Sequence, residues 1–397
     1  MALDDYRAQF DNAYQDVFLK VIVGKSIANL RFEPVLKYGG TVARILPDIS
    51  AVRVRTVSRG SAATIDAITD SSESLTVNIE KEAVFYISDG EVTQTGPLNP
   101  GEWFGAKIAE LVAVNLDGKI LAEVVNAAQT FDVGDLTTLA STGTAFYLNA
   151  TNVPIMVSRM PAKLKRGTNQ VLTNMALVID AYAASDIAQY LLGKQFDIVG
   201  SVFANGYAGT ISTAEVYVSE ALTGETVLTI SPIAYNTETF IINGVTFTMT
   251  AASASAAGEI CIGGSVAQAL ANIKASLEAP ETTAGNTYTK LSAADGATIA
   301  ALGLEVCIGG ITARIRAIGG GRLIVSETMC SGAFSCPFVH CYYGKKGAID
   351  VVVQDLSPVD MRKTATMRGT NVFSSYLAGI KVFTDGAKKF LDVQVLS

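Results

Sequence analysis

The stretch "FANGYAGTISTAEVYVSEALTG" (Phe203 to Gly224) holds a turn, a glycine bend and one well-alternated strand, "AEVYVS". About 115 residues later the chain resumes in the same manner with "HCYYGKKGAIDVVVQD" (His340 to Asp355). Both pieces have the pattern of strands from one sheet. The segment between them differs in texture, being dense in Thr, Ser, Asn and Gly. This layout predicts a host domain interrupted by a second folding unit from Glu225 to Phe338.

Within that unit, "TFIINGVTFTMT" (Thr239 to Thr250) places Asn243-Gly244 between β-rich flanks, a strong hairpin signal. In "EICIGGSVAQALANIKASLE" (Glu259 to Glu278), Ser265 and Gln268 are spaced as a capping box for a short helix. "EVCIGGITARIRAI" (Glu305 to Ile318) echoes the phrase "EICIGG" and reads as a hairpin turning at Gly309-Gly310. One echo is too little for a repeat array.

Upstream, Asp4 suits the cap of a helix from about Asp5 to Val23, with Tyr6, Phe10, Tyr14, Val17 and Val21 on one face. Two alternating runs follow, "AVRVRTVSRG" (Ala51 to Gly60) and "LTVNIEKEAVFYIS" (Leu75 to Ser88), which read as a long two-stranded ribbon with a polar tip. Arg53 and Arg55 share one face of the first run, Glu80 and Glu82 one face of the second. Such a ribbon is marginal alone and needs a surface to lie on. "LNPGEWFGAKIAELVAVNLDGKILAEVVNAAQ" then opens with Asn99, Pro100 and Glu102 at helix-start positions. It predicts a helix from Asn99 to Gln129, roughly 45 Å long at 1.5 Å per residue. Its expected apolar face is Trp103, Phe104, Ile108, Leu111, Ile120 and Val124. A second amphipathic segment, Thr151 to Asn169, is interrupted by Pro161. After it come a buried strand, Met175 to Asp180, and a further helix.

The composition narrows the function. Of 397 residues, 49% are hydrophobic and only 17% charged, so extensive partner contact is expected to cover the apolar surface. A net charge of −7 argues against a protein that grips nucleic acid. The opening "MALDDYRAQF" lacks the basic flank and apolar run of a signal peptide, and no membrane span is expected. The five cysteines show no paired spacing and read as free thiols. His340 is the single histidine, which removes most routes to general-base or zinc chemistry. Cys336, His340 and Cys341 are close in sequence, but neighbouring strand residues point to opposite faces, and the plainer reading is a strand edge with an apolar thiol. The glycine clusters lack the phosphate-loop spacings and read as turns. No enzyme and no cofactor are expected.

The order of parts resembles the major capsid protein of tailed bacteriophages, whose fold is named after the Hong Kong 97 phage. The phrases that carry the resemblance are "NGYAGTISTAEVYVSEAL" (Asn205 to Leu222) and "GKKGAIDVVVQDLSPVDMRKTATMRGTNVFSSYLAGIKVFTDGAKKFLDVQV" (Gly344 to Val395). They are similar to the family's glycine bend, its strand ending near "VxxS", its "GxxxAI", and its "YxxGxKV"-like close. The resemblance implies an α+β fold divided into an N-arm (1–40), an E-loop (41–98), a P-domain with its spine helix (99–174), an A-domain in two parts (175–224 and 339–375), and a C-terminal P-domain strand (376–397). The segment 225–338 is then an inserted α+β domain.

The resemblance further implies a structural protein of the virion, assembled in the host cytoplasm. Hexamers and pentamers of it would enclose double-stranded DNA without sequence-specific binding. A scaffolding protein, a portal and a decoration protein are the expected partners. The ribbon tip, Ser58 to Ser74, has no lysine, which leaves no donor there for a covalent cross-link. Candidate subunit-interface residues are Arg53, Arg55, Glu80 and Glu82 on the ribbon. The basic clusters add Arg159, Lys163, Lys165, Arg166, Arg362, Lys363 and Arg368. Two alternatives stay open: a bacterial nanocompartment shell of encapsulin type, and a glycan-binding role for the inserted domain.

Overall fold

The computed structural model describes residues 22–32, 40–48, 52, 55–56, 65–66, 69–88, 100–168, 172–192, 207–211, 214–231, 234, 236–251, 253–363 and 369–396. The expected helix over 5–23 lies outside them except for Ile22 and Val23, which lead into a single helical turn, α1 (Gly24–Ile27).

A ribbon follows, and only the first two residues of the expected return run, Leu75 and Thr76, belong to it. β1 (Thr41–Asp48) pairs antiparallel with β2 (Thr69–Thr76), Thr41 opposite Thr76. Most of the run 51–60 lies outside the described residues. The return run does not stay with the ribbon. β3 (Ile79–Ser88) leaves it and becomes the edge of another sheet. The chain passes close to β18 at this point: a Cβ at Gly379 would lie 2.7 Å from the Thr76 carbonyl oxygen and 3.1 Å from the Val77 Cα. Beyond that crossing the strand pairs with residues 369–378. The ribbon base is fastened where Glu73 accepts from the Thr384 N–H at 3.0 Å and Lys381 donates to the Ser74 carbonyl at 2.7 Å.

The long helix, α2 (Pro100–Ala122), continues as a 3-10 turn over Glu123–Asn126. It buries Ile108, Ala109, Val112, Ala113, Leu116, Ile120, Leu121 and Val124, a stripe at three- and four-residue spacing. Leu111, expected on that face, is 66% exposed because it falls on the opposite side of the helix. The side chains of Trp103 and Phe104 lie outside the described residues. After the short β4 (Thr130–Phe131), α3 (Asn152–Thr168) runs unbroken through Pro161, burying Val153, Met156, Met160 and Leu164. The Asn149 side chain accepts from the Thr151 and Asn152 N–H groups, satisfying donors of its first turn.

β5 (Met175–Ile179) is buried throughout and is followed by α4 (Ala181–Leu192), β6 (Tyr207–Ile211) and β7 (Ala214–Val218). β8 (Thr223–Ile230) leads into the intervening segment. There β9 (Thr239–Ile242) and β10 (Val245–Thr250) form the expected hairpin, with Asn243 at φ 47° and Gly244 at φ 83° as a two-residue turn requires. β11 (Glu259–Cys261) precedes α5 (Val266–Glu278). Ser265 caps α5 by accepting from the Gln268 N–H, while Gln268 reaches one residue beyond the cap to the Gly264 N–H. Next come α6 (Ala293–Ala301), β12 (Leu304–Gly309) and β13 (Thr312–Ala317). Gly309 pairs with Thr312, so the turn is Gly310-Ile311, one residue later than the sequence predicts. β14 (Val325–Glu327) and β15 (Gly332–Phe334) complete the segment.

The chain then returns through β16 (Phe338–Lys345), the hairpin β17 (Asp350–Lys363) and β18 (Gly369–Lys381), the turn α7 (Thr384–Ala387) and β19 (Phe390–Leu396). β7 and β16 do belong to one sheet, with β5 between them. β8 lies beside β16 as well, with Glu225 directly opposite Phe338 and Gly224 opposite Val339. One core is built from residues 22–222 and 339–395, and a second entirely from residues between Leu228 and Met329.

The two cores touch where backbone meets backbone. In the last turns of α2, a Cβ added to Gly118 would lie 2.5 Å from the Gly319 Cα, and Gly319 itself has φ +75°. Gly118→Ala normally gains about 1 kcal/mol in a helix. Here it is expected to destabilise by about 1–3 kcal/mol, because the loop 319–321 must retreat. Chemical denaturation checks the sign. A variant more stable than the parent would show that the contact has slack.

Candidate functional site

The residues singled out from the sequence scatter over the molecule. Arg53 and Arg368 lie outside the described residues, and Arg362 and Lys363 end β17 with side chains that are not described. Arg55 pairs with Asp66 at 2.6 Å. Glu80 and Glu82 share the exposed face of β3, opposite Leu377 and Ser375 of β18. The return run changes sheets before reaching them, so they belong to the sheet of β18 and not to the β1–β2 ribbon. On α3, Arg159 donates to the Asp135 carbonyl at 3.0 Å. Lys165 and Arg166 are exposed at its C-terminal end, where cations favour the helix dipole.

Lys163 differs from its neighbours. It turns inward, 8% exposed, and its ammonium donates to the Thr130 carbonyl, to the Asp135 carboxylate and, at 2.7 Å, to the Ser141 hydroxyl. All its donors are engaged inside the chain, so it ties α3 to the preceding 3-10 turn (Val133–Leu136) and offers nothing to a neighbour. Its helical phase gives the signal: Lys163 sits three residues after Met160 on the buried stripe.

The densest charge network lies at the junction of the two cores, and its central member is His340. β16 is no edge strand, for β8, β5 and β19 all pair with it. Cys341 points into the first core and is fully buried, which pushes its thiol up. His340 points the other way. Its Nδ1 lies 2.9 Å from the Asp392 carboxylate and its Nε2 3.3 Å from Glu225 Oε2. Glu225 in turn meets Arg316 at 2.6 Å and Arg314 at 3.2 Å. Burial alone would lower the His340 pKa, but the charge and hydrogen bond of Asp392, with Glu225, raise it to about 9. Burial likewise opposes ionisation of Glu225, yet His340 and Arg316 outweigh it and hold its carboxyl below the usual value. Cys336 is exposed and lines the same cleft as Glu225 and His340. Among the described residues no group of three or more His, Cys, Asp or Glu side chains is placed to hold a metal ion.

One further ion pair spans the junction. Arg322 pairs with Asp180, which also caps α4 through the Ala183 N–H at 3.0 Å, and its guanidinium stacks 4.8 Å from the Tyr182 ring. Asp117, beside Gly118, accepts from the Gly24 N–H and from the Ser219 hydroxyl at 3.0 Å, and burial pushes its pKa up to about 6. Between α2, β3 and the second core runs an open crevice of about 640 Å³, with the exposed Leu111 and Val114 in its floor and Lys81, Glu82, Lys107 and Glu110 along it.

The network makes stability at the junction depend on pH. The folded pKa of His340 is raised, so its contribution is whole below about 6.5 and is lost as pH rises through about 9. Glu225 acts in the other direction: its contribution is whole above its ordinary value and fades as pH falls through the lowered one. His340→Gln leaves two carboxylates facing each other in a buried site and is expected to cost roughly 3 kcal/mol at neutral pH. It should also flatten the alkaline limb of the stability profile. Denaturant unfolding from pH 6 to about 10 measures both, and an unchanged alkaline limb in the variant would sink the assignment.

No protein-family model matches the chain, and no curated protein matches it. Among solved structures it is similar to a chain of Mycobacterium phage Che8, at 12% identity over 93% of this chain and 90% of that one, with a TM-score of 0.47. It is similar to the capsid of the cyanophage P-SCSP1u at 11% identity, over 95% and 89%, with a TM-score of 0.49. It is also similar to the mature capsid of bacteriophage PhiM1 at 10% identity, over 90% and 82%, with a TM-score of 0.43.

Proposed function

We propose that this chain is a major capsid protein of the Hong Kong 97 type, whose copies close the icosahedral head of a tailed phage around its double-stranded DNA. The observation that carries the reading is an apolar sheet edge on a chain of low charge. Only 17% of the residues are charged, and among the described residues β3 ends its sheet with Val84 47% and Tyr86 38% exposed. Sheet edges and apolar patches of this kind call for a cover. Copies of itself are the natural cover, since a shell subunit meets several neighbours at once.

The extended parts support this reading. β17 and β18 are 14 and 13 residues long, and with β3 they make a narrow three-stranded sheet. Its β3 edge presents Glu80, Glu82, Val84 and Tyr86 outward. In the proposed shell, 41–98 is the E-loop, α2 the spine helix of the P-domain, and 225–338 an inserted domain seated on that helix. A scaffolding protein, a portal and a decoration protein are the further partners. The DNA is enclosed and not gripped, in keeping with the net charge of −7. The role is structural, and no residue in it is catalytic.

Co-expression with its scaffolding protein is expected to give closed shells tens of nanometres across, visible by electron microscopy. A well-folded monomer as the sole product would defeat the proposal. Lys165 and Arg166 are exposed basic residues of the candidate interface. Reversing both to Glu is expected to block assembly while shifting unfolding of the subunit by no more than about 0.5 kcal/mol. Normal shells from that variant would remove this helix end from the interface.

A further inference from the structure

Arg314 and Arg316 lie two residues apart on β13, so both project from the same face, while Ala313, Ile315 and Ala317 fill the second core. Each meets Glu225 through its Nε, at 3.2 Å and 2.6 Å. A guanidinium carries five N–H donors in a planar fork. Among the described residues no carbonyl or carboxylate accepts a hydrogen bond from the Nη groups of either arginine. Both side chains line a cleft of about 530 Å³ between the two cores, which Thr130 and the segment Gly143–Ala145 also line.

The charges in this cleft do not balance. Glu225 is the one carboxylate that both arginines share, and Asp392 is matched by His340. Glu305 stands opposite Arg316 on β12 but makes no ion pair with it among the described residues. One positive charge is therefore left over. Arg316 is only 20% exposed on its side chain, so its unused donors are partly withdrawn from water, and Arg314 at 53% leaves the cleft open to a ligand.

We propose that this cleft is an oxyanion site, in which a carboxylate or phosphate group bridges the unused Nη groups of Arg314 and Arg316. Two adjacent forks held at a fixed spacing suit bidentate contacts, which are stronger and more directional than those of lysine. The Nε contacts to Glu225 hold both guanidinium groups in place beforehand, so little side-chain freedom is lost on binding. The anion comes either from solution or from an acidic side chain of a second copy of this chain.

The purified subunit, titrated with inorganic phosphate against chloride at equal ionic strength, tests the first source. Saturable heat of binding and a rising melting temperature are expected, with Arg314→Gln weakening binding by at least about tenfold. Arg314 is half exposed and Glu225 keeps Arg316 and His340, so the Gln variant should still fold in chloride. If the subunit ignores phosphate, the second source requires Arg314→Gln to weaken self-association while circular dichroism shows a folded chain. A phosphate response that survives Arg314→Gln overturns the site. So does a chain that neither binds phosphate nor loses self-association on Arg314→Gln. If the unaltered chain forms no shells, the capsid reading fails by itself, and the phosphate titration still decides the site.

Discussion

Three segments of this chain converge on one turn of a helix. At Asp117 and Gly118 the α2 backbone is approached from three directions, by the α1 turn at Gly24, by the end of β7 at Ser219, and by the loop at Gly319. Gly118 permits the approach of Gly319 because it has no Cβ, and Gly24 likewise sits where a Cβ would strike Asp117 and Ile120. Asp117 is kept in this crowded place against its own hydration, as its raised pKa records. Its two hydrogen bonds give direction to contacts that apolar packing alone would leave free to slide.

Much of this was legible in the sequence where the signal is local. The hairpin at Asn243-Gly244, the cap at Ser265, the buried run Met175–Ile179 and the start of the long helix each follow from a few adjacent residues. The misreadings share a cause, in that each depends on a partner far along the chain. Leu75 to Ser88 reads as one alternating run, yet Leu75 and Thr76 pair with β1 while Ile79 to Ser88 pair with β18. Leu111 looks like its apolar neighbours, but the stripe is set by what α2 packs against. His340 looks like an idle strand residue until Glu225 and Asp392, 115 and 52 positions away, are brought beside it. No spacing rule reaches that far.

The junction also shows how a chain with few charges uses them. Glu225, His340, Asp392, Asp180 and Arg322 are largely buried and meet between segments, not within them. Buried ion pairs add little net stability over an apolar packing of equal volume, but breaking one side of a pair is severe. Such contacts therefore discriminate: the second core can sit on the first in one orientation, and any displacement strands a carboxylate. Apolar contact supplies adhesion here, and the ionic groups supply register.

The pairing of β8 with β16 bears on the order in which the chain folds. Gly224 and Val339 are strand neighbours although more than a hundred residues separate them. Closing a disordered loop of that length costs roughly 3 kcal/mol more than closing a tight turn. The second core cancels most of that penalty if it forms first, because its own sheet already holds the two chain ends one strand spacing apart. The late-synthesised β16 and β19 then find a template in place, and the central sheet grows outward from the segment that interrupts it.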